Sequence, residues 1–194
     1  MAGHFEALPG GGAAVALDEV EISILRSLAV QLLELIGPGD EPVEGEDPLA
    51  ALFAEGPSEP PSDPALKRLF PDAYGDEDEE LRAAAADFRR YTEKDLRARK
   101  REDALAVIRS LDSLSSSGED GAILKLTPDE SRSWLGALND LRLTIGTRLE
   151  VTDEDESGEL YRLPDSDPRK PMVMAYLWLG ALQESLVETL MSGA

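Results

Sequence analysis

The sequence predicts a mainly α-helical protein, a single-domain helical bundle with a small two- or three-stranded β element. Three observations support this prediction. Apolar residues recur at helical spacing in several long segments, capping-box patterns precede two of them, and short strand patterns occur near the N-terminus and at 123–126. A chain of 194 residues with 42% hydrophobic residues can bury one core. We therefore expect one helical domain over residues 1–194.

The N-terminal residues predict a β-hairpin followed by a helix. Residues 5–7 and 15–17 alternate apolar positions on either side of the turn-forming segment 9–12. Asp18 and Glu21 then form a capping-box pattern, and Gly37-Pro38 ends the helix. The predicted apolar stripe of this helix consists of Val20, Ile24, Leu28, Leu32 and Leu35, widened by Leu25 and Ile36.

Residues at about 37–63 are rich in proline, glycine and acidic residues, which predicts a mobile loop. Asp47-Pro48 and Asp63-Pro64 each place a capping aspartate before a proline at the first helical position. These two patterns predict two short helices of similar geometry.

The segment from Asp76 to about Leu114 predicts a helix in two parts. Its acidic first residues lie where the helix dipole favours negative charge. Thr92 and Asp95 are candidates for capping the second part.

The C-terminal half predicts a strand and two long helices. Residues 123–126 form the strand, and Thr127-Pro128-Asp129-Glu130 is a strong helix start. An acidic loop at about 150–168 separates this helix from the last one, at about 171–191. The last helix is apolar on nearly every side and should lie centrally. The predicted core stripe of the preceding helix consists of Trp134, Leu138, Leu141, Ile145 and Leu149.

Composition excludes several classes of function. The sequence has no cysteine and a single histidine, His4, so disulfides, thiolate nucleophiles and multi-histidine metal sites are excluded. The formal net charge of −21 opposes general binding to nucleic acid or anionic lipid. The longest apolar stretch, 172–182, is too short to span a bilayer, and no signal peptide is visible. We expect a cytoplasmic protein with no cofactor, no metal and no membrane association.

One segment has the opposite charge. Residues 82–101 contain eight basic and three acidic residues, a local charge of +5. This face is the candidate partner-binding site, for an acidic protein surface or for phosphates. The alternative is that the basic residues neutralise acidic runs of their own chain, at 76–80 and 150–156. The candidate binding residues are Arg89, Arg90, Lys94, Arg97 and Arg101.

Two other patterns have a weaker chemical interpretation. Asp140 paired with Arg142, or Glu184 with Arg148, predicts an interhelical polar network; an acid–base pair of Asp140 and Glu184 is the catalytic alternative. Residues 153–158 resemble the first half of a calcium loop, but the twelfth position is a proline, which favours a solvated acidic loop. No catalytic residue is predicted.

Four sequence motifs resemble a known family. They are Phe88-Arg89-Arg90, Leu138-Asn139-Asp140-Leu141-Arg142, Gly146-Thr147-Arg148-Leu149 and Trp178-Leu179-Gly180-Ala181-Leu182-Gln183-Glu184-Ser185-Leu186. The chain is similar over nearly its whole length to the actinobacterial AosR family of oxidative-stress regulators, formerly a domain of unknown function. The resemblance implies a cytoplasmic, non-enzymatic transcription regulator that acts through an alternative sigma factor of RNA polymerase.

In that family, redox sensing is attributed to an internal cysteine pair. This sequence has no cysteine, so the resemblance carries over the fold and the general class but not the thiol switch. Two alternatives stay open: direct DNA binding by the basic helix 89–101, and an enzyme or metal-binding protein that uses Asp140 and Glu184.

Overall fold

The computed structural model describes residues 3–38, 56–75, 77–114, 121–152 and 160–192, except the side chain of Tyr161. Within these residues the fold is mainly α, with a small antiparallel sheet, as predicted. The elements in chain order are β1 (Glu6–Ala7), β2 (Ala13–Leu17), α1 (Glu19–Ile36), α2 (Pro64–Leu69), α3 (Glu79–Leu114), β3 (Ala122–Leu126), α4 (Pro128–Arg148), a 3₁₀ turn (Leu160–Arg162) and α5 (Lys170–Ser192).

The three strands form one antiparallel sheet in the order β1-β2-β3. In its register, Glu6 pairs with Ala14, and Ala13 pairs with Leu126. The hairpin turn needs glycine at residue 12, because its φ is +94° and a Cβ there would lie 2.3 Å from the carbonyl oxygen of Leu126. One face of the sheet is buried in the core, as period-2 alternation requires. Its buried residues are Ala13, Val15, Leu17, Leu124 and Leu126.

Helix α1 begins as predicted, with Asp18 and Glu21 in a complete capping box. The predicted apolar stripe is wrong in part, because Val20 and Ile24 are 65% and 41% exposed. Spacing of four residues drifts around a helix by about 40° per step, so a stripe of fours leaves the buried side. The buried face alternates spacings of three and four and consists of Ile22, Leu25, Ala29, Leu32 and Ile36.

Helix α2 confirms one of the two short helices predicted from the Asp-Pro pattern. The Asp63 carboxylate accepts hydrogen bonds from the backbone amides of Ala65 and Leu66, and Pro64 occupies the first position. The other predicted short helix, after Asp47, lies outside the described residues, as do 39–55 of the predicted mobile loop.

Helix α3 is one continuous helix of 36 residues. The predicted second start at Thr92 is therefore wrong. The Thr92 hydroxyl donates to the carbonyl oxygen of Phe88, one turn earlier, which is the bond a threonine makes inside a helix. At the start of α3, the Asp78 carboxylate accepts from the amide of Leu81, so the acidic segment does supply a cap.

Helix α4 occupies the centre of the bundle, in contact with the other four helices and β3. Its Thr127–Glu130 capping box is complete. All five predicted core residues are buried, and Trp134 packs edge-on against Phe5, the residue before β1, with 6.1 Å between ring centroids. The core therefore lies between α4, the inner face of the sheet and the flanking helices.

The prediction that the last helix lies centrally is wrong. Helix α5 packs mainly against α4 and the β1–β2 hairpin, because α4 already fills the centre. Its buried residues are Val173, Leu179, Leu182, Leu186 and Thr189, and its exposed large apolar residues are Met172, Met174, Leu177 and Met191. In the part of the chain that the structure describes, no helix is long and apolar enough to cross a membrane.

Two hydroxyl groups of α5 bond to the backbone of Phe5, the residue before β1. The backbone amide of Phe5 donates to the Ser185 hydroxyl at 3.0 Å, and the Thr189 hydroxyl donates to the Phe5 carbonyl at 3.2 Å. Phe5 is 3% exposed, so these bonds satisfy backbone groups that lie inside the protein.

Candidate partner-binding face of the long helix

The first candidate residue, Arg89, is buried inside the fold. Its side chain is 4% exposed, and it donates to the Phe70 carbonyl at 2.9 Å, to Asp72 at 2.8 Å and to Glu93. Glu93 is equally buried. A buried charge is tolerated only when it is paired and hydrogen-bonded, and Arg89 meets that requirement. In this structure Arg89 links α3 to the residues that follow α2.

Arg97 and Arg101 bind the C-terminus of α1. The Arg97 guanidinium donates to the carbonyl of Ile36 and, at 2.7 Å, to Glu93. It also lies 4.4 Å from the ring centroid of Phe70, a cation–π contact. Arg101 donates to the carbonyl of Gly37.

These two arginines provide a charge that α1 itself lacks. The last turn of α1 contains no basic residue, and the free carbonyls of a helix C-terminus favour a cation. Arg89, Arg97 and Arg101 thus connect α3 to other elements of the fold. Arg89 and Arg97 do pair with acidic residues of their own chain, as the alternative of charge neutralisation expects. Their partners are Asp72 and Glu93, however, and not the acidic runs at 76–80 and 150–156.

Arg90 and Lys94 lie nearer the surface. Arg90 pairs with Asp87 at 3.0 Å, and its side chain is 32% exposed. Beside them, Phe88 and Tyr91 are 47% and 70% exposed. Sequence reasoning missed these aromatic residues, although their spacing of three within the basic run was the available signal.

We define the outer face of α3 as Phe88, Arg90, Tyr91 and Lys94 of the helix together with Tyr74, which precedes it. The rings of Tyr74 and Phe88 meet edge to face, with centroids 6.2 Å apart. Exposed tyrosine, phenylalanine and arginine side chains are the residues enriched where proteins bind one another. Phe88 and Tyr91 are its exposed members, whereas Arg90 and Lys94 are half-buried beside Gly56, whose backbone amide donates to the Arg90 carbonyl at 3.0 Å.

Asp140 belongs to a buried polar contact between α3 and α4. Its carboxylate is 2% exposed and accepts from the Lys100 ammonium at 2.6 Å, so the predicted pairing with Arg142 is wrong. Burial raises the pKa of Asp140, and the hydrogen bond from Lys100 acts in the opposite direction. Burial also raises the pKa of Asp103, which lies nearby on α3.

The remaining polar contacts join α4 to its other neighbours. Arg142 donates to the Gln183 side chain at 2.6 Å, which connects α4 and α5. Arg148 donates to Asp63 at 2.7 Å, so its predicted pairing with Glu184 is also wrong. The network between helices was predicted, but its members are different.

The structure does not bring Asp140 and Glu184 together as an acid–base pair. Asp140 faces Lys100 on α3, whereas Glu184 is exposed on α5. Over the described ranges, no group of three or more aspartate, glutamate or histidine side chains is placed to hold a metal ion. The segment 153–158, with its partial likeness to a calcium loop, lies outside those ranges.

The geometry defines a helical domain whose buried ion pairs link its helices and whose longest helix presents an aromatic and basic outer face. The chain belongs to the family described as a domain of unknown function, DUF2017, whose model matches residues 2–190.

The chain is similar to curated proteins that are named oxidative stress regulators. The chain is 33% identical over 180 residues to the protein named AosR in Mycobacterium leprae, covering 89% of this chain and 79% of the relative. It is 30% identical over 176 residues to the oxidative stress regulators AosR of Mycobacterium bovis and Mycobacterium tuberculosis H37Rv, covering 88% of this chain and 78% of each relative. No solved structure matches the chain.

The motifs that carry the resemblance coincide with contacts between helices. Arg89 and Asp140 form the buried ion pairs, and Arg142 and Arg148 join α4 to α5 and to α2. Gly146 provides space for Tyr176, since a Cβ there would lie 3.2 Å from its ring. These motif residues therefore hold the helices of this chain against one another.

Proposed function

We propose that this chain is a non-enzymatic transcription regulator that acts in the oxidative-stress response by contacting an alternative sigma factor or RNA polymerase. The observation that carries the proposal is its similarity to the AosR proteins over nine-tenths of its length, because those relatives are named oxidative stress regulators. An accessible aromatic and basic helix face is consistent with action by protein contact.

The proposed contact is the outer face of α3. Arg90 and Lys94 supply positive charge, while the rings of Phe88 and Tyr91 supply apolar area that a partner can cover. Arg89, Arg97 and Arg101 act indirectly, since they fix α3 against α1 and the end of α2. An acidic surface on the partner would complement this face.

The regulator does not use a thiol switch of its own within these 194 residues, because they include no cysteine. In this proposal the oxidative signal is received by the partner or by another component, and the chain transmits it by binding.

The direct test is retention of purified alternative sigma factors, and of core RNA polymerase, on the immobilised full chain at low and at physiological salt. We expect one partner to be retained, more strongly at low salt, and to be lost with Arg90→Glu or Tyr91→Ala. Ile24→Ala, which removes an exposed apolar side chain of α1, is the matched control and should retain the partner. Failure to retain any of them at low salt would contradict the proposal.

Direct DNA binding is the competing function. It is opposed by the net charge of −21 and by the contacts that Arg97 and Arg101 already make with α1 carbonyls. A mobility shift on promoter DNA at low salt, steeply reduced by salt and by Lys94→Ala, would replace the proposed function with this one.

A further inference from the structure

The buried side of helix α3 changes character along the helix. In residues 104–114 it is apolar and consists of Ala104, Val107 and Leu111, which all belong to the hydrophobic core. Over the described ranges, the core takes no member from residues 79–103. The buried residues of that stretch are Ala85, Arg89 and Glu93. We call 79–103 the N-terminal part of α3 and 104–114 its C-terminal part.

The large apolar side chains of the N-terminal part are exposed to solvent. Phe88, Tyr91 and Leu96 are 47%, 70% and 38% exposed. The free energy gained from apolar burial is proportional to the area removed from water. Because these side chains keep much of their area in water, the N-terminal part gains little from the hydrophobic effect. Polar contacts must therefore hold it in place.

The polar contacts centre on Glu93. Its carboxylate accepts from the guanidinium groups of Arg89 and Arg97, at 2.7 Å from Arg97. Arg89 also donates to the carbonyl of Phe70, and Arg97 donates to the carbonyl of Ile36. One buried carboxylate thus holds the two arginines that attach the N-terminal part to the end of α1 and to the residues after α2. We call Arg89, Glu93 and Arg97 the Glu93 network.

Two further polar contacts lie on either side of the network. The Gly56 amide donates to the Arg90 carbonyl at 3.0 Å. Near the boundary between the two parts of the helix, the Lys100 ammonium donates to the Asp140 carboxylate at 2.6 Å. These contacts join charged side chains or backbone groups, as those of the network do.

Polar and apolar attachment differ in what water does to them. When a helix detaches, water replaces its hydrogen bonds, and the charges recover the hydration that burial had removed. Water does not replace the contacts of Val107 and Leu111, whose burial is favourable because it removes them from water. A helix without neighbours is only marginally stable in water, so detachment leads to unwinding. Segments with few buried apolar contacts are the ones that open most easily in folded proteins.

We propose that the N-terminal part of α3 opens as a unit while its C-terminal part and the core stay folded, and that the Glu93 network controls how often it opens. Opening frees Arg89 and Arg97 from their acceptors and uncovers the ring of Phe70, whose centroid lies 4.4 Å from the Arg97 guanidinium. The helical residues of the outer face lie on the part that opens. A partner that binds them in their helical form would therefore favour the closed state.

The proposal goes beyond the proposed function and does not depend on it, because opening is a property of the chain alone. Native-state hydrogen exchange of the full chain measures it. Exchange is followed by mass spectrometry in fragments that cover 83–97 and 104–114, at urea concentrations below the unfolding transition. We expect 83–97 to be at least about tenfold less protected than 104–114. Its exchange should also respond less to urea, because this opening exposes less surface than complete unfolding.

Val107→Ala separates the two kinds of opening. The core contacts of Val107 persist when only the N-terminal part opens, and they are lost when the whole chain unfolds. Removing its buried methyl groups should therefore accelerate exchange in 104–114 by about tenfold or more and leave exchange in 83–97 unchanged. Far-UV circular dichroism verifies that the variant is folded.

Glu93→Ala tests the network. The contacts of Glu93 are lost in the proposed opening and also in complete unfolding, so exchange should accelerate at least about tenfold in both fragments. Asp87→Ala is the matched control on the same part of the helix. The Asp87 side chain is exposed where it pairs with Arg90, and its removal should change exchange by less than about fivefold.

Three results would overturn the proposal. They are equal protection of 83–97 and 104–114, acceleration of both fragments to the same extent by Val107→Ala, and no response of 83–97 to Glu93→Ala. None of these results bears on whether the chain retains a sigma factor or RNA polymerase, so this proposal and the proposed function can fail separately.

Discussion

Glu93→Ala tests whether the basic residues of α3 hold the fold together. Glu93 is 3% exposed and accepts hydrogen bonds from both Arg89 and Arg97. Its removal leaves the buried Arg89 guanidinium with Asp72 and the Phe70 carbonyl alone. We expect the free energy of unfolding to fall substantially.

The magnitude follows from burial. Removing one partner of a buried ion pair costs about 3–5 kcal/mol. Arg89 keeps two acceptors and Arg97 keeps the Ile36 carbonyl, so we expect the lower end, about 3 kcal/mol. This loss is a large fraction of the total free energy of unfolding of a domain, roughly 5–15 kcal/mol. Urea denaturation followed by circular dichroism measures the free energy of unfolding of the variant and of the unmodified chain.

Asp87→Ala is the matched control on the same helix. Asp87 pairs with Arg90, but its side chain is 62% exposed, and exposed pairs contribute about 0–1 kcal/mol. If Glu93→Ala costs less than about 1 kcal/mol, or no more than Asp87→Ala, the basic residues do not stabilise the fold as the contacts indicate. Their structural role would then be refuted.

Three further predictions concern the turn, the caps and pH. Gly12→Ala should destabilise the protein by about 1–3 kcal/mol in urea denaturation, because its φ is +94° and the Leu126 carbonyl blocks a Cβ. Thr127→Ala removes a helix cap and should cost about 1 kcal/mol by the same measurement. The hydrogen bond from Arg148 holds the pKa of Asp63 below its ordinary value, so the stability that the carboxylate contributes is present at neutral pH and lost as pH falls through the folded pKa. Arg148→Ala should raise that pKa, as NMR of the carboxyl carbon would detect.

Each of these predictions has its own contrary result. Gly10 has a φ of +90° with no atom close to its Cβ position, so Gly10→Ala should cost less than Gly12→Ala; equal costs would show that the carbonyl contact is unimportant. An unchanged cooperative transition in Thr127→Ala would contradict the capping role. A pKa of Asp63 that does not respond to Arg148→Ala would assign the shift to the cap hydrogen bonds alone.

The features that sequence reasoning found are those encoded by a few neighbouring residues. The Asp18 and Thr127 capping boxes and the Asp63-Pro64 helix start are confirmed, because each is decided within four residues. The core stripe of α4 is confirmed because its spacings of four and three stay on one side of the helix, whereas the α1 stripe begins with three spacings of four and drifts off the buried side.

Several of the errors concern which neighbour an element meets. The apolarity of α5 predicted burial on all sides, but the sequence does not reveal that α4 takes the centre. Likewise, Arg97 and Arg101 were identified from charge alone, and their acceptors are carbonyls 61 and 64 positions earlier. A backbone carbonyl has no sequence signature, so pattern analysis cannot select it as a partner.

The contacts of Phe5 with Ser185 and Thr189 have a consequence for how the protein is made. Phe5 is synthesised long before Ser185 and Thr189, whose hydroxyls bond to its backbone. These residues come 180 and 184 positions later in the chain. The Phe5 backbone therefore gains these hydrogen bonds only after α5 has been synthesised, whereas its ring can already pack against Trp134 of α4. Such distant contacts slow folding, because the segments between them must be ordered before the contacts contribute to stability.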